Sequence, residues 1–269
     1  MSTLSGSRDL VAASMVVVLL SRFVDGPAAW IVGACLLFAV AFGALQLLGD
    51  GVPATEGPGV PVESLMVPAA TVISIFGSIR LVPAGILLVP AIMIGAWLLL
   101  RVIGTEARLL ASTSGPSSAD RTAVVGQALI VGLLGFSGMA ALVPAGFPDG
   151  SSVFGAPTGA QLAALAVADA FMAFLLGYRA AALRSSNLRD VAWFALTSAA
   201  LVAIAAAALR AMEIPRLLGP ALLVLVFFLW DAVHAREPSR RRDARWIWET
   251  VLLAVLGVLV VAWSIRLRS

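Results

Sequence analysis

The stretch SLMVPAATVISIFGSIRLVPAGILLVPAIMIGAWLLLRVI, from Ser64 to Ile103, decides how the chain is read. Arg80 is its only charge before Arg101. A helix needs roughly 20 apolar residues to cross a bilayer, so the stretch is about two spans long. It is interrupted at Ser78-Ile79-Arg80-Leu81-Val82-Pro83. Proline disfavours helix in the residue before it and has no N–H to donate. The break is therefore a tight turn between two spans or the gap in a broken helix. Backbone groups freed there must be satisfied by protein or trapped water.

Composition sets the class. The chain of 269 residues is 61% hydrophobic and 12% charged, with a mean hydropathy of +1.01. Soluble domains carry about 25% charged residues. This chain has too little polar surface to cover itself in water. The expected fold is an all-α, polytopic transmembrane helix bundle. Barrel strands would alternate over about 10 residues, whereas the apolar runs here are continuous.

All 18 basic residues are arginine. With the abundant alanine this points to a GC-rich bacterial coding sequence, and hence to a bacterial cytoplasmic membrane. Without lysine there is no retinal Schiff base and no Walker A loop. The net charge of +3 reflects orientation in the membrane, and no nucleic-acid partner is expected. The single Cys35 lies in an apolar helix and reads as a small core residue.

Working outward, residues 1–8 form a polar leader, followed by apolar segments at 10–20 and 27–48. The long stretch divides into 64–79 and 83–103. Further spans are expected at 122–143, 159–183, 191–212, 216–232 and 246–265. No loop is long enough to fold as a soluble domain, so residues 1–269 read as a single integral membrane domain. The pentapeptide Leu-Val-Pro-Ala-Gly recurs at 81–85 and 142–146, which in so biased a composition does not establish an internal repeat.

Arginine-rich loops belong in the cytoplasm. Loops 104–121, 184–190 and 235–245 are basic and alternate with 144–158 and 213–215. Nine spans with a cytoplasmic N-terminus is the favoured scheme. The alternative has eight, with 64–79 re-entrant or interfacial and the N-terminus outside. Arg8 and Arg22 exchange sides between the two, so the charge balance does not choose. The lipid bilayer is the first partner. Anionic lipids are expected near Arg236, Arg240, Arg241, Arg242 and Arg245, and partner membrane subunits are an open class.

The segment Gly135-Phe136-Ser137-Gly138 resembles the Gly-x-Ser-Gly of rhomboid intramembrane proteases, which implies a serine nucleophile paired with a histidine. The sole histidine, His234, falls at the opposite membrane face. At 1.5 Å per residue the two lie roughly 20 Å apart, beyond hydrogen-bond reach. Ser137 reads instead as a packing residue between glycines, and no catalytic residue is assigned. One histidine, no cysteine pair and no His-Glu-x-x-His leave no metal or cofactor constellation.

Asp169 carries the functional expectation. It lies near the middle of 159–183, the only acid there. A charge at that depth is costly and faces a bundle interior or a water-filled cavity. Ala166 and Ala173 share its side, and Ala163, Ala170 and Gly177 extend a small-residue seam for a neighbouring helix. Asp169 is thus either an interhelical lock or a proton or cation site, with Arg80 and Gln127 as the other candidates. Asp231 and His234, at i and i+3, are weaker interfacial candidates for a site or pH-sensitive pair. Arg210 and Glu213 read as a surface ion pair.

Three function classes follow. The first is a secondary transporter or permease for a small solute or lipid, using Asp169. The second is a non-catalytic subunit that anchors or scaffolds a larger complex. The third, an enzyme acting on lipid-linked substrates, lacks the cluster of acids such chemistry uses.

Overall fold

The structure, a computed structural model, describes residues 2–49, 59–112, 117–143, 158–185, 187–212, 214, 218–234 and 244–266. These residues form nine α-helices and no strand. They are α1 Ser2–Leu20, α2 Pro27–Gly49, α3 Glu63–Ser78, α4 Leu88–Ala111, α5 Ser118–Leu142, α6 Gly159–Ala182, α7 Leu188–Ala211, α8 Leu218–His234 and α9 Ala244–Arg266. Six of the described helices, α2 to α7, are long and apolar enough to cross a membrane, while α8 and the apolar part of α9 are shorter. Large apolar side chains such as Ile31, Phe38, Phe42, Met93 and Trp193 face outward. That exterior suits a lipid solvent, so the fold is compatible with a multi-pass membrane protein.

The helices form two compact units, residues 1–142 and 143–269. In the first, α3 is the central element and packs against α2, α4 and α5. Every residue from Val67 to Gly77 is buried. The α3–α5 contact is backbone on backbone: a Cβ on Gly77 would lie 2.6 Å from the Gly138 carbonyl carbon. Only two glycines permit that approach. Beside it, Ser74 Oγ donates to the Val131 carbonyl at 3.0 Å. The Gly-x-Ser-Gly segment thus serves packing, with Ser137 buried beside the Gly138 contact.

The break after Ser78 is a turn. α3 tightens into a single 3₁₀ turn at Ile79–Leu81, Val82 is extended, and Gly85 takes φ 143° before α4 begins at Leu88. That φ is left-handed territory in which glycine alone is unstrained. α4 therefore starts and ends later than the sequence suggests, and Thr105 and Glu106 fall inside it, both buried. They continue the Leu98, Leu99, Val102, Ile103 face at helical spacing. α1 likewise begins at Ser2, within the expected polar leader. Cys35 departs from expectation: it is exposed on the outer side of α2, because Gly33, Leu36 and Val40 form the buried side.

In the second unit α6 and α7 form a tightly packed antiparallel hairpin; α8 packs on both, and α9 on α8. A capping box opens α6. Gln161 N–H donates to Thr158 Oγ1 (3.3 Å), and Thr158 N–H donates to Gln161 Oε1 (2.9 Å). Asn187 Oδ1 caps α7 by accepting from Arg189 N–H. The second pentapeptide copy lies largely outside the described residues, as do Glu213, Arg236, Arg240, Arg241 and Arg242; Arg245 belongs to the first turn of α9.

Candidate functional site

The site is built on the α6–α7 hairpin. Its register is set where a Cβ on Gly177 would come within 2.6 Å of Ser198 Oγ. Asp169 precedes Gly177 by eight residues, and Arg210 follows Ser198 by twelve. In antiparallel helices both lie on the same side of that contact, about 12 Å and 18 Å along the axis. Helical side chains lean toward the N-terminus of their own helix. The Arg210 side chain therefore leans back along α7 toward the level of Asp169.

Asp169 has 0% exposure, and neither carboxylate oxygen has a hydrogen-bond partner. Ala173 and Gly177, from the expected small-residue seam, are buried, while Ala163 is exposed. Arg210 is 7% exposed. This corrects its reading as a surface residue: it extends the buried stripe of Ala199, Val202 and Ala206 by one turn.

Arg179 is also buried in α6. Nearer the α6–α7 turn, Arg184 ion-pairs with Asp231 of α8 and donates from Nε to the Ala180 carbonyl at 2.9 Å. Its guanidinium lies 5.0 Å over the Phe194 ring. Asp231 is thus held by Arg184. His234 Nδ1 lies 2.9 Å from the Trp230 carbonyl, which can only accept, so this nitrogen carries the proton in that bond. The His234 ring rests 4.0 Å from Trp230 and 5.7 Å from Phe194. The second unit therefore carries buried charge at several depths, from Asp231 through Arg179 to Asp169 and Arg210.

The other candidates lie in the first unit. Arg80 donates to the Ser21 carbonyl (2.7 Å), the Val24 carbonyl (2.5 Å) and Asp25 Oδ1 (3.2 Å). It caps a helix end. Gln127 Nε2 donates to Thr105 Oγ1 at 2.9 Å, tying α5 to α4. Sequence reasoning passed over Glu106 and Arg179 and placed Arg210 at the surface; the helical period of their apolar neighbours was the available signal. Among the described residues no group of three or more His, Cys, Asp or Glu is placed to hold a metal ion.

The geometry defines a class, an all-helical protein with apolar helices suited to a bilayer and an acid buried in one helix pair. No family model matches the chain, and no curated protein or solved structure matches it.

Proposed function

We propose that the protein is a secondary transporter or permease for a small solute or lipid, with Asp169 as its ionisable coupling residue. One observation carries this reading: a fully buried carboxyl group without a hydrogen-bond partner, on the same side of the Gly177–Ser198 contact as the buried Arg210. A buried acid left unsatisfied is costly. Taking up and releasing a proton or cation beside a fixed positive charge is a use that requires such a group. The second unit's further buried charges, Arg179 and Asp231, weigh against an inert scaffold. The turn at 78–83 removes a broken helix from the argument, so the reading rests on α6 and α7.

In this reading the chain crosses a bacterial cytoplasmic membrane nine times from a cytoplasmic N-terminus. Support comes from the ends of α1 and α3. Arg22 donates to the Ile79 and Val82 carbonyls, and Arg80 to those of Ser21 and Val24. Both helix ends therefore share one side, as nine spans require; the eight-span scheme separates them.

The test is reconstitution into proteoliposomes with an imposed proton gradient and an internal pH dye. A panel of amino acids, carboxylic acids, sugars and monovalent cations is added in turn. At least one should dissipate the gradient through the wild type and not through Asp169→Asn. Purification with a stoichiometric partner, and no solute-dependent flux, would favour the subunit reading.

A further inference from the structure

One side of α4 carries a feature the buried acid does not use. Its exposed residues recur at helical spacing, first the apolar Val89, Met93 and Trp97, then Arg101, Gly104 and Arg108. The change from apolar to cationic occurs at one contact. The Arg101 guanidinium lies 5.7 Å over the Trp97 indole, folded back toward the N-terminus of α4. Its charge thus rests at the end of the apolar stripe, and indoles favour that headgroup level. Among the described residues Arg101 has the Trp97 ring against it and no carboxylate.

Arg108 completes the face. Its Nε donates to the Gly104 carbonyl (3.3 Å) and its Nη2 to Thr105 Oγ1 (3.2 Å), which draws the guanidinium toward Gly104. A Cβ built on Gly104 would meet nothing within 4 Å, so the surface between the two arginines is open. The neighbouring acids do not fill it. Glu106 is buried on the other side of α4. Asp120 feels the Arg108 charge but is held by the Ser117 N–H (3.2 Å) and hydroxyl (2.6 Å).

We propose that this face of α4 binds one anionic phospholipid. Its acyl chains lie along Val89 and Met93, its phosphate on Arg101 above Trp97, and its headgroup in the opening at Gly104 toward Arg108. The complementarity is apolar to apolar and cation to phosphate along a single helix face. It is independent of any role for Asp169.

The test uses the full chain purified in detergent, with phosphatidylglycerol or phosphatidylcholine added at equal concentration. Bound lipid is counted by native mass spectrometry and Tm is followed. Phosphatidylglycerol should bind in preference and raise Tm. Arg101→Gln should weaken it about fivefold without changing phosphatidylcholine binding, and Arg108→Gln should weaken it less because Asp120 already offsets its charge. Arg189→Gln, an exposed arginine on α7, should leave the preference intact. Equal binding of the two lipids, or full preference in Arg101→Gln, overturns the proposal. So does a Tm rise reproduced by glycerol 3-phosphate, which would mark a site for free phosphate.

Discussion

Arg22 and Arg80 cap each other's helices. Arg22, at the end of α1, donates to the Ile79 and Val82 carbonyls beyond α3 (3.3 and 2.5 Å). Arg80, at the end of α3, donates to the Ser21 and Val24 carbonyls beyond α1 (2.7 and 2.5 Å). The Ser21 and Ile79 carbonyls each accept one backbone N–H, from Val24 and Val82; each arginine adds a second donor there and a donor to the carbonyl beyond, which the end of a helix leaves without a partner. The Arg80 guanidinium also lies 5.6 Å over Phe76, which anchors the exchange to the buried face of α3.

Removing either arginine should therefore destabilise the first unit. A hydrogen bond from a charged donor contributes about 1.5–3 kcal/mol, so Arg22→Ala or Arg80→Ala should cost about 2 kcal/mol or more. Asp25 pairs with Arg80, but its side chain is 89% exposed, and pairs of that kind contribute little. Asp25→Ala should leave Tm nearly unchanged. Thermal unfolding of the purified variants in one detergent measures all three. An Asp25 effect as large as that of Arg80 would mean the ion pair, and not the carbonyl capping, holds the ends together.

The glycines divide sharply. A Cβ at Gly138 would lie 2.8 Å from the Ser78 nitrogen, whereas at Gly126 it would meet nothing within 4 Å. Gly138→Ala must push α3 and α5 apart and should cost about 1–3 kcal/mol. Gly126→Ala should stabilise by up to about 1 kcal/mol through helix propensity. Comparable Tm shifts of the same sign would show that α3 and α5 do not cross at Gly138.

Much of this architecture is legible in the sequence. The bounds of α2 and α6 follow from apolar length and from punctuation such as Pro27, while α7 starts three residues before the expected 191, at the Asn187 cap. Length alone misplaced α4, because the signal sits in Gly85 and in the continuing period through Thr105 and Glu106. The candidate site is legible only in part. The depth of Asp169 reads directly from its span. Its relation to Arg210 does not, since their levels depend on the α6–α7 register, which Gly177 and Ser198 set through a contact remote in sequence. The Arg22–Arg80 exchange is hidden for the same reason.

The proposed nine spans from a cytoplasmic N-terminus predict a labelling pattern. Cys35 is replaced by serine, and single cysteines are placed at Phe23, Thr55, Ala84 and Ser239. A membrane-impermeant thiol reagent on intact cells should label positions 23 and 84, which are both exposed, and should reach 55 and 239 only after permeabilisation. Labelling of 23 and 84 from opposite sides would contradict the arginine exchange, and external labelling at 55 would favour eight spans.

The sharpest prediction concerns Asp169 itself. Asp169→Asn keeps the shape and polarity of the acid and should still fold and insert, although like any neutral replacement it removes the charge that faces Arg210. Asp169→Leu removes both the charge facing Arg210 and the polarity of the side chain, so it should cost more stability than Asp169→Asn. Replacing both, as Asp169→Leu with Arg210→Leu, should recover much of that loss, since apolar replacements of buried charge pairs are often neutral or stabilising. The two single changes should thus be strongly non-additive. In the proteoliposome assay the double variant should be stable but inactive, like Asp169→Asn. Stability and activity then separate cleanly. Additive losses would show that the two charges do not act on one another. A stable Asp169→Asn variant with full solute-dependent flux would end the coupling role and leave a structural one.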